Sequence, residues 1–203
     1  ISFAIKIPMF PFHLWLPEAH VEAPTEGSII LASILLKLGG YGLLRVSIRI
    51  LAQSSLYFSN LVYAMSIISI FYASIICLSH DDIKKIIAYS SIAHMNVGIL
   101  ALFSLTYLGI QGSIYLMLGH GITSGGLFLL IGILYNKTQN KLLENYGGIA
   151  YVMPSYTLFF YLFTIANFGF TGTFNFLGEF LCFLGIFEKI PIIAIFGIFN
   201  TIL

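Results

Sequence analysis

The chain has 203 residues, of which 59% are hydrophobic and only 8% charged, with a mean hydropathy of +0.97 and a formal net charge of +1. Soluble domains carry about 25% charged residues, so this composition excludes a water-facing globule and predicts a protein whose solvent is lipid. A net charge near zero also argues against nucleic acid as a partner.

Apolar segments alternate with short polar connections, and we interpret the long segments as transmembrane helices. An opening apolar run ends at Phe12 and is too short to span a bilayer. After a polar stretch, the predicted complete segments are about 28–51, 61–79, 86–106, 111–135 and 156–187, with an incomplete apolar tail at 190–203. Ser28 is predicted to cap the first of these helices. Their length and lack of alternation exclude barrel strands. The predicted fold is therefore all-α and transmembrane, with about five full spans and a partial span at each end.

The sequence carries no mark of a soluble domain, a linker or a cofactor site, so residues 1–203 are interpreted as a single membrane domain. Cys77 and Cys182 lie in apolar stretches without a ligand spacing and are interpreted as small buried hydrophobes. The connector from His13 to Glu22 matches no zinc pattern, so no metal is predicted. Basic residues divide four against three between the two sides, which leaves the membrane orientation open.

Five titratable side chains fall inside apolar segments, namely Lys6, Lys37, His94, His120 and Glu179. A rise of about 1.5 Å per residue places Lys37 and both histidines roughly 12–14 Å into their segments, near the middle of the bilayer. Each one alone has a structural alternative: an interhelical hydrogen bond, a lysine that reaches the interface, or a paired glutamate. Five together favour a functional set, because charged groups at this depth are costly.

The chemistry of these residues favours proton movement. Desolvation disfavours the charged forms of lysine and glutamate, and histidine titrates near neutral pH. Such groups, bridged by water between neighbouring helices, can pass a proton along. Pro8 and Pro11 follow Lys6, and a glycine-containing stretch precedes Glu179, so two charges lie beside predicted helix breaks of the kind that transporters use.

Several stretches together resemble one family, the antiporter-like membrane subunits of respiratory complex I. The resemblance runs in order along the chain and is carried by KIPMFPFHLWLPEAHVEAPTEGS (6–28), ILLKLGGYGLLR (34–45), DDIKKIIAYSSIAHMNVG (81–98), LMLGHGITSGGLF (116–128) and FLGEF (176–180).

The resemblance implies a role for each candidate site residue. Lys6 matches the proton-holding lysine of the first broken helix, and Lys37 matches the connecting lysine of the next helix. His94 and His120 match histidines of the mid-membrane hydrophilic axis. Glu179 matches the terminal acid of the second broken helix. His13, seven positions after the first lysine, also matches a family histidine, without a defined role.

The resemblance further implies a fourteen-helix fold with two broken helices, of which this chain corresponds to the second half. We therefore expect a piece of a larger or split protein, whose first half supplies a glutamate to pair with Lys6. Thr171 stands where the family usually has proline, so the second break is expected to rest on Gly169 and Gly172. Glu26 replaces a small residue, and nothing in the sequence accounts for it.

The function implied by the resemblance is that of a proton-translocating membrane-arm subunit of mitochondrial NADH:ubiquinone oxidoreductase. NADH, FMN, iron–sulfur clusters and ubiquinone are expected in other subunits, with none in this chain. The expected partners are neighbouring antiporter-like and other membrane-arm subunits and membrane lipid, in the mitochondrial inner membrane or, for a bacterial protein, the plasma membrane. The alternatives are a related cation/proton antiporter, a membrane-bound hydrogenase subunit, or a structural piece without its own proton path.

Overall fold

The computed structural model describes the backbone of residues 2–202 and the side chains of residues 2–198. Within these residues the secondary structure is helical, and the only strand-like pairing is an isolated bridge between Asp82 and Leu142. Four helices are long and apolar enough to cross a membrane: α3 (Thr25–Ile48), α4 (Ala52–Ser79), α5 (Ile83–Phe103) and α6 (Tyr107–Thr138). The predicted all-α transmembrane class is therefore confirmed.

Two further segments are helices interrupted in the middle. In the first, α1 (Ser2–Lys6) and α2 (Trp15–Glu22) flank residues 7–14, which we call the first break. In the second, α8 (Pro154–Asn167) and α9 (Phe174–Lys189) flank residues 168–173, the second break. Among the described residues, the remaining helices are the 3₁₀ helix Leu143–Tyr146 and the α-helices α7 (Ile149–Val152) and α10 (Pro191–Ile202). The predicted span at 156–187 is thus two helices of 14 and 16 residues, interrupted where the sequence predicted a break.

The second break uses glycine at both of its unusual backbone positions. Gly169 has a φ of +65° and Gly172 a φ of +99°, conformations that residues with a Cβ rarely adopt. The prediction that these two glycines form the break without a proline is therefore confirmed. Thr171 lies between them, at the position where the family usually has proline, and the break forms without that proline.

The start of α3 differs from the sequence prediction. The helix begins at Thr25 directly after Pro24, whose backbone is extended, so Ser28 is inside the helix and does not cap it. The Ser28 hydroxyl instead donates to the His20 carbonyl oxygen at 3.3 Å. Glu26 is exposed in the first turn, where the positive end of the helix dipole favours an acid, and this accounts for its presence.

The outer surface of the bundle exposes large apolar side chains. Large apolar side chains such as Leu78 and Ile122 are about 70% exposed, which requires a lipid solvent and agrees with the predicted multi-pass membrane location. Cys182 is fully buried, as predicted, whereas Cys77 is only half-buried and donates its thiol to the Ile86 carbonyl oxygen.

Glycines allow α6 and α9 to pack with their backbones nearly in contact. A Cβ added to Gly178 would lie 2.6 Å from the Leu116 backbone nitrogen, and one added to Gly112 would lie 2.5 Å from the Cys182 nitrogen. Membrane helices associate through such small residues because lipid provides no hydrophobic force between them. This contact sets the height of Glu179 on α9 relative to His120 on α6.

We predict that Gly178→Ala forces α9 away from α6, because the added methyl group meets backbone atoms that cannot rotate aside. Overpacking of this kind costs about 1–3 kcal/mol, so the midpoint of thermal unfolding in detergent falls. Gly147→Ala is the control, since Gly147 has a φ of −62° and nothing within 4 Å of an added Cβ. Equal midpoints for the two variants would contradict the packing described.

Candidate functional site

Lys37 and His120 form the first of two polar pairs inside the bundle. The Lys37 ammonium nitrogen lies 2.9 Å from Nδ1 of His120 and also donates to the Ala32 carbonyl oxygen at 2.6 Å. His120 is completely buried and Lys37 half-buried. An ammonium group has only donors, so with Lys37 protonated, His120 accepts at Nδ1 and carries its own proton on Nε2. Nε2 has no hydrogen-bond partner among the described residues.

The helix α3 and the facing glycine of α6 place the Lys37 side chain. Ala32, which holds the ammonium group, lies in a π-helical turn, Leu31–Leu35, of a kind that often occurs at functional sites. On the opposite side, a Cβ added to Gly121 would lie 3.4 Å from Cε of Lys37 and 3.2 Å from the Ser33 carbonyl oxygen. The residue after His120 is therefore small enough for α3 to approach α6 closely.

His94 and Glu179 form the second pair. Nδ1 of His94 on α5 lies 2.7 Å from Oε1 of Glu179 on α9, a short hydrogen bond typical of a charge-assisted pair. Glu179 is also packed against the second break, because a Cβ added to Gly169 would lie 2.8 Å from Oε2. The carboxylate thus fills the space that a side chain at residue 169 would need. This contact ties the position of Glu179 to the backbone of residues 168–173.

The two pairs meet through their imidazole rings. The ring centroids of His94 and His120 are 5.7 Å apart with an interplanar angle of 45°. Lys37, His120, His94 and Glu179 therefore form a row of four titratable side chains, contributed by α3, α6, α5 and α9, which we call the mid-membrane line. Lys37 is twelve residues into the 24-residue helix α3, which places it at the middle of that span.

Lys6 lies outside this line. It is the last residue of α1, its side chain is exposed, and it has no hydrogen bond or ion pair with any described residue. Its Cβ lies 3.2 Å from the position of a Cβ added to Gly39, two residues along α3 from Lys37. A small cavity of about 180 Å³ between Lys6, Trp15 and the 31–38 part of α3 adjoins it. The structure therefore brings Lys6 to the helix of Lys37 but not into contact with its ammonium group.

His13 also lies apart from the mid-membrane line. It is 3% exposed within the first break, edge-on to Tyr72 at 4.9 Å and stacked on Phe10 at 5.9 Å between ring centroids. Neither ring nitrogen has a hydrogen-bond partner among the described residues. Its contacts are those of a packed aromatic residue, and its family role stays a prediction.

The connector from His13 to Glu22 contains another buried histidine, His20, which was not predicted from the sequence. His20 is fully buried and stacked on Phe128 with 4.4 Å between ring centroids and an interplanar angle of 10°. Sequence reasoning treated it as part of a polar connector because Glu18 and Glu22 flank it, and both of these acids are exposed. The signal for its burial was the helical spacing of four from Leu16, which is also buried.

A crevice of about 860 Å³ opens beside the second pair, between α4, α5 and α8, and its wall includes His94 and Glu179. The remaining lining is mostly apolar, with the Ser90 hydroxyl and the Asn167 amide close to the two titratable groups. Across residues 2–198, no three His, Cys, Asp or Glu side chains converge where a metal ion could bind. The sequence expectations about metals and cofactors stay predictions.

Comparisons with known proteins place this arrangement in context. The family model described as "NADH:quinone oxidoreductase/Mrp antiporter, TM" matches residues 1–203. The NADH-ubiquinone oxidoreductase chain 4 of Marchantia polymorpha is 49% identical over 202 residues, which cover 100% of this chain and 41% of the relative. The NADH-quinone oxidoreductase subunit M of Rickettsia bellii is 51% identical over 196 residues, 97% of this chain and 40% of the relative.

A solved structure gives the same likeness in three dimensions. In "Respiratory complex I from Thermus thermophilus with bound NADH", one chain matches with a TM-score of 0.91 and 32% identity, over 99% of this chain and 43% of that chain. The chain thus spans about two fifths of the length of the proteins it matches.

We predict that Gly169→Ala breaks the hydrogen bond between His94 and Glu179, because the new methyl group would occupy the space of the carboxylate. The matched control is Gly148→Ala, which carries a similar backbone strain at a φ of +78° but has nothing within 4 Å. The 15N chemical shift of the His94 ring, measured by solid-state NMR, should change in Gly169→Ala only. The same shift in both variants would contradict this geometry.

Proposed function

Because the chain belongs to the NADH:quinone oxidoreductase/Mrp antiporter membrane family, as its motifs predicted, we propose that it translocates protons along the mid-membrane line. The observation that carries the proposal is the placement of two hydrogen-bonded pairs, Lys37 with His120 and His94 with Glu179, whose imidazole rings lie 5.7 Å apart between centroids at the depth where lipid disfavours charge. Four side chains that served only as structural pairs would have no reason to meet end to end.

The proposed transfer uses the two nitrogens of each imidazole. The Lys37 ammonium gives a proton to Nδ1 of His120, and His120 releases the proton that it held on Nε2. A water between the rings, 5.7 Å apart, carries this proton to His94, which passes its own Nδ1 proton to Oε1 of Glu179. Each ring then returns to its starting tautomer by rotation, or by moving its own remaining proton from one ring nitrogen to the other through water. Proton transfer in the opposite direction would use the same steps in reverse order.

Electrostatic coupling between neighbouring members of the mid-membrane line would let a change at one site drive proton movement at the next. In a medium of low dielectric constant, the charge on one member changes the free energy of placing a proton on the next. We propose that Lys6 exchanges protons with Lys37 through water along α3, next to Gly39. A change of charge or position at the first break then propagates towards Glu179. No role for His13 is part of this scheme.

At the level of the assembly, we propose that the chain works in the membrane arm of a complex I in the mitochondrial inner membrane. Two relatives that align with the whole of it, from Marchantia polymorpha and Arabidopsis thaliana, are named NADH-ubiquinone oxidoreductase chain 4. NADH oxidation and ubiquinone reduction, with FMN and iron–sulfur clusters, would take place in other subunits and reach this chain through conformation and charge. The proposed partners are neighbouring antiporter-like subunits and the polypeptide that supplies the first half of the fold, with a glutamate facing Lys6.

We predict that Lys37→Met in the assembled complex lowers NADH-driven proton translocation into membrane vesicles by about a hundredfold, the lower end of the range for loss of a proton-transfer group. The methionine keeps the length of the side chain and removes the proton. The control is Lys137→Met, since Lys137 is exposed at the end of α6 and contacts the Met153 sulfur. Full coupled translocation by Lys37→Met would rule out the proposed line.

We further predict that the Lys37→Met/Glu179→Gln double variant translocates protons no more slowly than the slower single variant. Members of one line fail together, so a second substitution adds no further loss. Two parallel paths would instead each keep working when only the other is blocked, so the single variants would keep part of the rate and the double variant would lose it. The initial rate of vesicle acidification at fixed NADH concentration distinguishes these outcomes. Partial translocation by each single variant, together with a much slower double variant, would indicate separate paths.

A further inference from the structure

Two backbone groups of the first break, the Pro8 carbonyl oxygen and the Phe10 N–H, lack helical partners inside the bundle. In a continuous helix the Pro8 carbonyl oxygen would accept from the N–H of Phe12, four residues later. Here the Phe12 N–H donates to the Met9 carbonyl oxygen at 2.7 Å instead. The N–H of Phe10 likewise has no helical acceptor. An unsatisfied backbone group at membrane depth is costly because lipid offers it no hydrogen bond, so both groups need partners within the protein.

Ser69 of α4 supplies the hydrogen-bond acceptor for the Phe10 N–H. Its hydroxyl oxygen accepts from that N–H at 2.6 Å, while the hydroxyl hydrogen is donated to the Met65 carbonyl oxygen, one turn earlier in α4, at 2.7 Å. Because the hydrogen is directed into its own helix, a lone pair of the oxygen faces the break. Ser69 is 2% exposed, so water does not compete for this bond.

Asn96 of α5 supplies the hydrogen-bond donor for the Pro8 carbonyl oxygen. Its amide Nδ2 donates to that oxygen at 3.1 Å and to the Ile92 carbonyl oxygen at 2.8 Å, which uses both of its hydrogens. Asn96 is completely buried. The break is therefore held from two neighbouring helices, one of which supplies a donor and the other an acceptor.

The helix that holds the first break also holds the second. Two residues before Asn96, His94 bonds to Glu179, which packs against Gly169 of the second break. One turn earlier, the Ser90 hydroxyl accepts from the amide of Asn167, the last residue of α8, at 3.4 Å. Helix α5 is thus in polar contact with both interrupted segments.

We propose that Asn96 and Ser69 are positioning residues that hold the backbone of the first break, and with it Lys6, at a fixed distance from the mid-membrane line. A shift of the first break is transmitted through Asn96 to α5 and so to the pair of His94 and Glu179. The consequence for proton transfer rests on the proposed function, whereas the hold on the break does not.

The test compares two buried serines of α4 in the assembled complex. Ser69→Ala removes the acceptor of Phe10, and Ser66→Ala is the control, because Ser66 is fully buried with no hydrogen-bond partner among the described residues. Amide hydrogen exchange at Phe10 should be about tenfold faster in Ser69→Ala and unchanged in Ser66→Ala, since a lost bond to a buried group eases local opening. Asn96→Leu, of similar volume and without the donor, should also speed exchange in residues 8–13.

The second readout is the pH profile of NADH-driven proton translocation in the same membranes. A displaced Lys6 changes the environment of a titrating group, so the profile should shift in Ser69→Ala and Asn96→Leu but not in Ser66→Ala. Unchanged exchange at the break in both test variants would overturn the inference. If the test variants exchange faster at the break but keep the same pH profile as Ser66→Ala, Asn96 and Ser69 do not position Lys6.

Failure of the proposed function is a separate result. It would appear as full translocation by Lys37→Met, while exchange at Phe10 still reports whether Ser69 holds the break. Ser69→Ala removes a single oxygen atom, so the membrane fold and the assembly are expected to survive the change.

Discussion

A polar or charged group inside a bilayer has to find its partner within the protein, and this constraint organises the whole chain. It accounts for the helical secondary structure, in which each backbone group is satisfied locally. It also explains why the exceptions are tightly supported: the freed groups of the first break bond to Asn96 and Ser69, and Glu179 pairs with His94. The same constraint that makes a buried charge costly makes its protonation state sensitive to neighbouring charges, which a proton-translocating protein needs.

Helix α5 is where these requirements meet. It carries His94 in the mid-membrane line, Asn96 at the first break and Ser90 at the second, within two turns. The close approach of α6 and α9 through Gly112 and Gly178 then fixes the level of His120 and Glu179 beside it. The line is thus assembled from helices that are far apart in sequence, held together by small residues and by polar contacts that have no alternative partner in lipid.

Much of this could be predicted from the sequence, because lipid leaves a strong signal. Apolar segment length predicted the helices, and titratable side chains in apolar segments identified five residues as a set: Lys6, Lys37, His94, His120 and Glu179. The structure brings four of them together and leaves Lys6 outside the line. The pairing within the set was not predictable, since it depends on how each helix is rotated and on which helices are neighbours. The start of α3 was misplaced because Ser28 has the side chain of a cap, whereas Pro24 ends the preceding connection. His20 was missed because burial came from Phe128, more than a hundred residues away.

The most direct test of the account is whether Glu179 senses Lys37 at the other end of the line. Infrared difference spectroscopy of the assembled complex, with Glu179→Gln to assign the carboxyl band, follows the protonation of Glu179 as the pH is varied. The account predicts that Lys37→Met moves the midpoint of this titration, while Lys137→Met leaves it unchanged. An identical Glu179 titration in the native protein and in Lys37→Met would contradict a coupled line.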